Sequence, residues 1–178
     1  LNQVDEFILA LSLLYFSEFL FVMTAYRIYK VQILPLETLT AMVAESQRTG
    51  FRAIQRLVDE WESGQNRFDR PGEALFIAQS QTQTIGICGL NIDPYTRSAS
   101  SGRVRRLYVT MEHRRNGIGH ALVERVIAEA RLSFTQLQVR TDNPIADRIY
   151  RSFGFRPHSD NPHLTHLLLL TSQSPVCS

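Results

Sequence analysis

The stretch from Arg105 to Gly119 constrains this chain more than any other. It reads Arg-Arg-Leu-Tyr-Val-Thr-Met-Glu-His-Arg-Arg-Asn-Gly-Ile-Gly, a β-prone run that passes through a short turn of arginines and glycines straight into a helix. The helical period is explicit: Ile118, Leu122, Val126 and Ile127 recur at three-and-four spacing, with Ala121 and Ala130 beside them. The first backbone N–H groups of a helix lack intrahelical partners, and the helix dipole puts partial positive charge there. Glycine has no Cβ to hold a ligand away, so amides at such a turn can approach a pyrophosphate. Arg114 and Arg115 add cationic charge at the same place. Physically this is a phosphate cradle; the other account of the same residues is a loop with two turn glycines. Two familiar cradles are excluded, because the chain has neither a Gly-Lys-Ser/Thr P-loop nor the three-glycine dinucleotide fingerprint.

Patterning elsewhere supplies the frame. Residues 26–33 are β-prone and Pro35 ends them. Residues 36–63 read as helix, with Leu39, Met42 and Val43, then Ile54, Leu57, Val58 and Trp61 on one face, split at Gly50. Residues 63–72 form a loop by turn chemistry. Strands are expected at 74–79, 84–92 and 103–110, with a hairpin turn at 80–83 and a loop at 95–102. A helix at 118–132, a strand at 137–140, a helix at 145–153 and a strand at 166–170 complete the order. That order fits a mixed α/β sheet flanked by helices in a single domain.

Leu107, Tyr108 and Val109, followed by Arg114, Arg115, Asn116, Gly117, Ile118 and Gly119 and then an apolar helix, resemble the acetyl-CoA-binding motif of the GNAT superfamily of N-acetyltransferases. A second segment, holding Asn143, Ala146, Tyr150, Gly154 and Phe155, resembles that family's closing strand–helix. The resemblance covers about residues 26–171. Met111 departs from the proline that many members carry, at a position that shapes a turn and does no chemistry.

The resemblance implies a mostly antiparallel sheet, splayed at the cofactor site, with helices on both faces. It implies acetyl-CoA as cosubstrate, no metal, and direct acetyl transfer to a primary amine of a small molecule or a protein in a ternary complex. Leu107, Tyr108 and Val109 would offer main-chain groups to the pantetheine arm, with the Val109 amide as oxyanion donor. Residues 114–119 would bind the pyrophosphate, and Arg115 or Arg151 would reach the outer phosphate. Tyr150 would be the general acid for the leaving thiolate, against the alternative of an aromatic packed with Phe153 and Phe155. Asn143 would hydrogen-bond the pantetheine or cap the following helix. The general base stays open between Glu112, Asp93 and a water chain. The acceptor side would draw on residues 47–73 and 95–102, with Trp61, Phe68 and Arg52 as lining candidates and Glu60 and Glu62 as attractors of a cationic amine or simply a wet helix face. Two other readings of the same motifs are a non-catalytic acyl-CoA-binding module and a transferase for a longer acyl group.

Composition narrows the rest. With 19 Lys and Arg against 17 Asp and Glu, the net charge of +2 argues against a nucleic-acid partner. Cys88 and Cys177 make no disulfide framework and read as reduced thiols of a cytoplasmic protein. His158, His163 and His166 cluster loosely without zinc-like spacing. Residues 7–26 are almost wholly apolar apart from Glu18, yet Asp5 and Glu6 precede them where a secretory signal needs positive charge. The preferred expectation is that Met23 is the natural start, residues 1–22 an upstream extension, and residues 23–178 the domain. A docking helix ranks second and a membrane anchor third. GNAT domains often pair, and a homodimer using the apolar leader is a further expectation.

Overall fold

Residues 74–78 and 85–90 carry no polar side chain at any position, which suits strands buried on both faces rather than one. The structure, a computed structural model, describes residues 26–170 except Arg97. The expectations for residues 1–22, for Met23 and for Cys177 lie outside the described residues. The elements are β1 (Arg27–Lys30), α1 (Leu36–Arg48), α2 (Ala53–Glu62), β2 (Ala74–Ser80), β3 (Gln83–Ile92), β4 (Ser101–Val109), a 3-10 turn (Met111–His113), α3 (Ile118–Ala130), β5 (Gln136–Val139), α4 (Pro144–Ser152), β6 (Arg156–Pro157) and β7 (His166–Leu169). They form a seven-stranded sheet in the order β1-β2-β3-β4-β5-β7-β6. Only the β4–β5 pair is parallel.

Strand alternation divides the core in two. Ala74, Phe76 and Ala78 of β2 join Leu122, Val123 and Val126 of α3 on one face. Leu75 and Ile77 join Leu39 and Met42 of α1 and Ile54 and Leu57 of α2 on the other. Burying each of the larger side chains among these stabilises the fold by about 1.5–3 kcal/mol relative to leaving it in water. The break between α1 and α2 falls at Gly50, whose φ of 76° ends the first helix in a left-handed residue. Among the described residues, no helix is long and apolar enough to cross a membrane. The layers set the geography of the site: α3 and its leading turn serve one face, and α1 and α2 the other.

Candidate functional site

The sheet opens at its centre. β4 pairs with β5 only through Ser101–Gln136, Gly102–Leu137 and Arg103–Gln138. β3 meanwhile holds β4 as far as the Gly86–Val109 pair. Beyond Arg103 one edge of β4 is therefore left by its neighbour. A bulge lies in the same stretch: the register jumps between Ile87, opposite Tyr108, and Gly89, opposite Arg105. Arg106 takes it up with a φ of 61°, a left-handed conformation that costs a non-glycine residue about 1–3 kcal/mol. The Thr110 N–H donates to the Ile85 carbonyl at 2.9 Å, toward β3. Backbone groups alternate along a strand, so the Val109 N–H and carbonyl face the opposite, open edge. The Arg114 Nε donates to that Val109 carbonyl at 2.9 Å.

The turn after β4 is exposed from Arg114 to Gly117, and the α3 N-terminus follows it. Gly117 caps α3 in the left-handed region at φ 74°, and a Cβ there would meet nothing within 4 Å. Gly117 is thus the glycine that leaves open space before the first amides of α3. Gly119 does something else: a Cβ there would lie 3.2 Å from Ile149 Cδ1, so its absence lets α3 approach α4. Ile118 is buried in the core, which leaves its backbone alone for any ligand. The arginines also part company. Arg114, though exposed, folds back on the strand, to the Val109 carbonyl and over the Tyr108 ring at 5.4 Å from the centroid. Arg115 stays exposed, in a left-handed conformation at φ 67°, and Asn116 is exposed beside it. Arg151 is tied to Asp147, with Nε at 3.1 and 2.9 Å from the two carboxylate oxygens.

Tyr150 sits on α4 in the core cluster that also takes in Val109 and Leu107. Its ring packs against Phe155 at 5.4 Å between centroids, the contact that the packing account of this residue expects. Burial pushes the phenol well above its usual pKa, with the buried Cys88 thiol as a smaller contributor. The proton therefore stays on oxygen at neutral pH. Asn143 is the α4 N-cap: its Oδ1 accepts from the Ile145 N–H at 2.8 Å and the Ala146 N–H at 3.4 Å.

On the other face, Tyr108 carries its side chain toward α1. The hydroxyl donates to Glu45 Oε1 at 2.7 Å, and the same oxygen accepts the Met111 N–H at 3.0 Å. Phe51 stacks on the Tyr108 ring at 5.3 Å. Glu45 thereby pins the end of β4 and the start of the 3-10 turn, a role that sequence pattern does not signal across 63 residues. Glu60, expected as an attractor of amines or a wet surface charge, pairs with Arg106 at 2.6 Å. Asp93 is buried, bound to Arg103 at 2.8 Å and accepting the Thr96 N–H, which anchors the β3–β4 connection. Glu112 is exposed. Phe68 is core, packed over Gly89, and Trp61 packs partly buried against the α1–α2 cluster. Arg52, at the α2 N-cap, is exposed.

A central strand held on one side, released on the other and followed by an exposed turn into a helix defines an acetyltransferase of the GNAT type. The chain belongs to the acetyltransferase (GNAT) family, which it matches over residues 39–155. It is similar to a proposed acetyltransferase from Exiguobacterium sp. 255-15, at 30% identity and a TM-score of 0.74, covering 83% of this chain and 95% of that one. A proposed acetyltransferase from Salmonella typhimurium, solved with its cofactor acetyl-CoA, shares the fold at 16% identity and a TM-score of 0.61, covering 86% of this chain and 99% of that one. Human N-acetyltransferase 8 is 34% identical over 89 residues, or 48% of this chain. The chain spans only 39% of the length of that curated relative.

Proposed function

We propose that the protein transfers an acetyl group from acetyl-CoA to a primary amine by direct attack within a ternary complex. The observation that carries this reading is the open edge at Val109, continuous with an exposed turn that leads into the free amides of α3. The pyrophosphate would lie against the backbone of Asn116, Gly117, Ile118 and Gly119, with Arg115 beside it and the pantetheine along Leu107, Tyr108 and Val109. A similar protein solved with acetyl-CoA supports this choice of cosubstrate. The same reading has the protein working in the cytoplasm, with Cys88 a buried free thiol.

The chemistry follows from the placement. The neutral amine attacks the thioester carbonyl carbon, forming the C–N bond and putting negative charge on the carbonyl oxygen. The Val109 N–H, fixed by the β3–β4 ladder and needing no reorganisation, stabilises that oxyanion. As the C–S bond breaks, the Tyr150 phenol gives its proton to the departing sulfur, and the proton shed by the acceptor nitrogen returns through solvent to restore the phenol. Thiol release from acetyl-CoA across a panel of amines tests the reading. Amine-dependent release, about a hundredfold slower with a Tyr150→Phe variant that still binds acetyl-CoA, is the expected result. Binding of acetyl-CoA with no release by any amine would mean a module that holds the thioester without using it.

A further inference from the structure

On the acceptor reading above, an amine reaches Val109 from the face that α3 does not cover, and β4 brings three arginines toward that face. Arg103, Arg105 and Arg106 stand within four positions of β4, and the bulge at Arg106 gathers them toward α2 and the β3–β4 connection. Two of the three are satisfied in part. Arg103 Nη1 donates to Asp93 Oδ1 at 2.8 Å and Nη2 to the His163 carbonyl, while its guanidinium lies 4.8 Å from the Tyr95 centroid. Tyr95 is itself stacked on His163 at 4.1 Å. Arg106 Nη2 donates to Glu60 Oε2 at 2.6 Å, but its Nε is buried with no hydrogen-bond partner among the described residues.

Arg105 is the odd one. It is half-buried, and among the described residues it makes neither an ion pair nor a side-chain hydrogen bond. The charges that act on it are Arg106, Glu60 and Arg103, with the Tyr95 phenol beyond; burial first and Arg106 second depress its pKa. A guanidinium stays protonated in any protein setting, so the charge persists without a counter-ion. Glu60 and Asp93 are already committed to Arg106 and Arg103. The wall therefore holds one cation more than it has carboxylates, plus a buried donor without an acceptor. A planar anion answers the unpaired charge, and a carboxylate matches the fork of an arginine with two oxygens at once. At about 3.3 Å per residue, Arg105 stands no more than roughly 13 Å from Val109 along the strand.

We infer that the acceptor is a small amine that also bears a carboxylate, held by Arg105 while the amine reaches the thioester at Val109. The test is calorimetric titration of the full chain, saturated with free coenzyme A, with matched pairs: glycine, leucine and phenylalanine, each against its carboxamide. The expected result is at least one pair in which the acid binds ten times more tightly than the amide, with that ratio falling to near one in Arg105→Gln and partly restored in Arg105→Lys. Circular dichroism confirms that each variant folds; should Arg105→Gln fail, Arg105→Lys alone must lower the ratio. Equal affinities within every pair, or a ratio unchanged by substitution, overturns the inference. Tighter binding of O-phosphoethanolamine than of every amino acid also overturns it, in favour of a phosphate. A silent transfer assay counts against the enzymatic reading, whereas the binding ratio decides this one.

Discussion

Arg114 donates from Nε to the carbonyl oxygen of Val109 at 2.9 Å, tying the exposed turn back to the open edge of β4. The bond orients the peptide beside the proposed oxyanion donor, and it occupies a cation that charge alone would assign to phosphate. Arg115 is left to face solvent. The two adjacent arginines therefore have separable roles.

Arg114→Ala is expected to lower kcat about tenfold or more, with at most a few-fold change in acetyl-CoA affinity, because it removes a charge-assisted bond of about 1.5–3 kcal/mol at the reacting edge. Arg115→Ala is expected to weaken acetyl-CoA binding by about three- to tenfold, with kcat kept, and to flatten the salt dependence of binding. Steady-state kinetics beside calorimetry separates the pair. The opposite assignment of effects would place the phosphate at Arg114.

Tyr150→Phe keeps the ring that packs on Phe155 and deletes only the proton donor. Turnover is expected to fall about a hundredfold, within the usual range for general acid catalysis, while thermal stability and acetyl-CoA affinity stay close to wild type. A variant with full turnover would leave Tyr150 as a core aromatic only.

The same residue links stability to pH. Its folded pKa is raised by burial, so between its unfolded value near 10 and that higher value the unfolded chain releases a proton that the native state keeps. Stability is fully present below pH 10 and falls as pH climbs above it. Tyr108, raised first by burial and then by its bond to Glu45, acts in the same direction, and buried Cys88 does so from about pH 9. Urea unfolding of reduced protein between pH 8 and 11 should show a steepening loss, shallower in Tyr150→Phe.

Asn143→Ala removes a cap that satisfies two α4 amides and should cost about 1 kcal/mol of stability, within a usual range of 0.5–2. If capping is its whole role, acetyl-CoA affinity stays unchanged when measured well below the unfolding temperature. A loss of affinity beyond about fivefold would add a contact with the pantetheine.

How far the sequence carried the fold depends on what each element is made of. The α1–α2 pair and α3 were legible because Leu39, Met42, Ile54, Leu57, Leu122 and Val126 repeat at helical spacing and are all buried, Gly50 marking the break. The two-residue β6 and the 3-10 turn were not, since neither is long enough to hold a period. The bulge at Arg106 was hidden because a left-handed arginine has no compositional mark, unlike the glycine at 117. It is the bulge that turns Arg106 toward Glu60 and makes an ion pair of what looked like a wet helix face. Asp93 gave no sign of its partner for a related reason: Arg103 reaches it only once the β3–β4 connection folds back. In the phosphate turn, the glycine spacing was legible, whereas the division of labour between Gly117 and Gly119 depends on where Ile149 lands.

The central claim is that the turn opening α3 clasps coenzyme A, and calorimetric titration of acetyl-CoA into wild type and Gly117→Val tests it most directly. A β-branched residue at φ 74° is strained and puts methyl groups into the open space before the α3 amides. The account predicts micromolar binding by wild type and a loss of at least thirtyfold in the variant, with far-ultraviolet circular dichroism unchanged. Equal affinity in the two proteins, or no binding by wild type at millimolar acetyl-CoA, would contradict it.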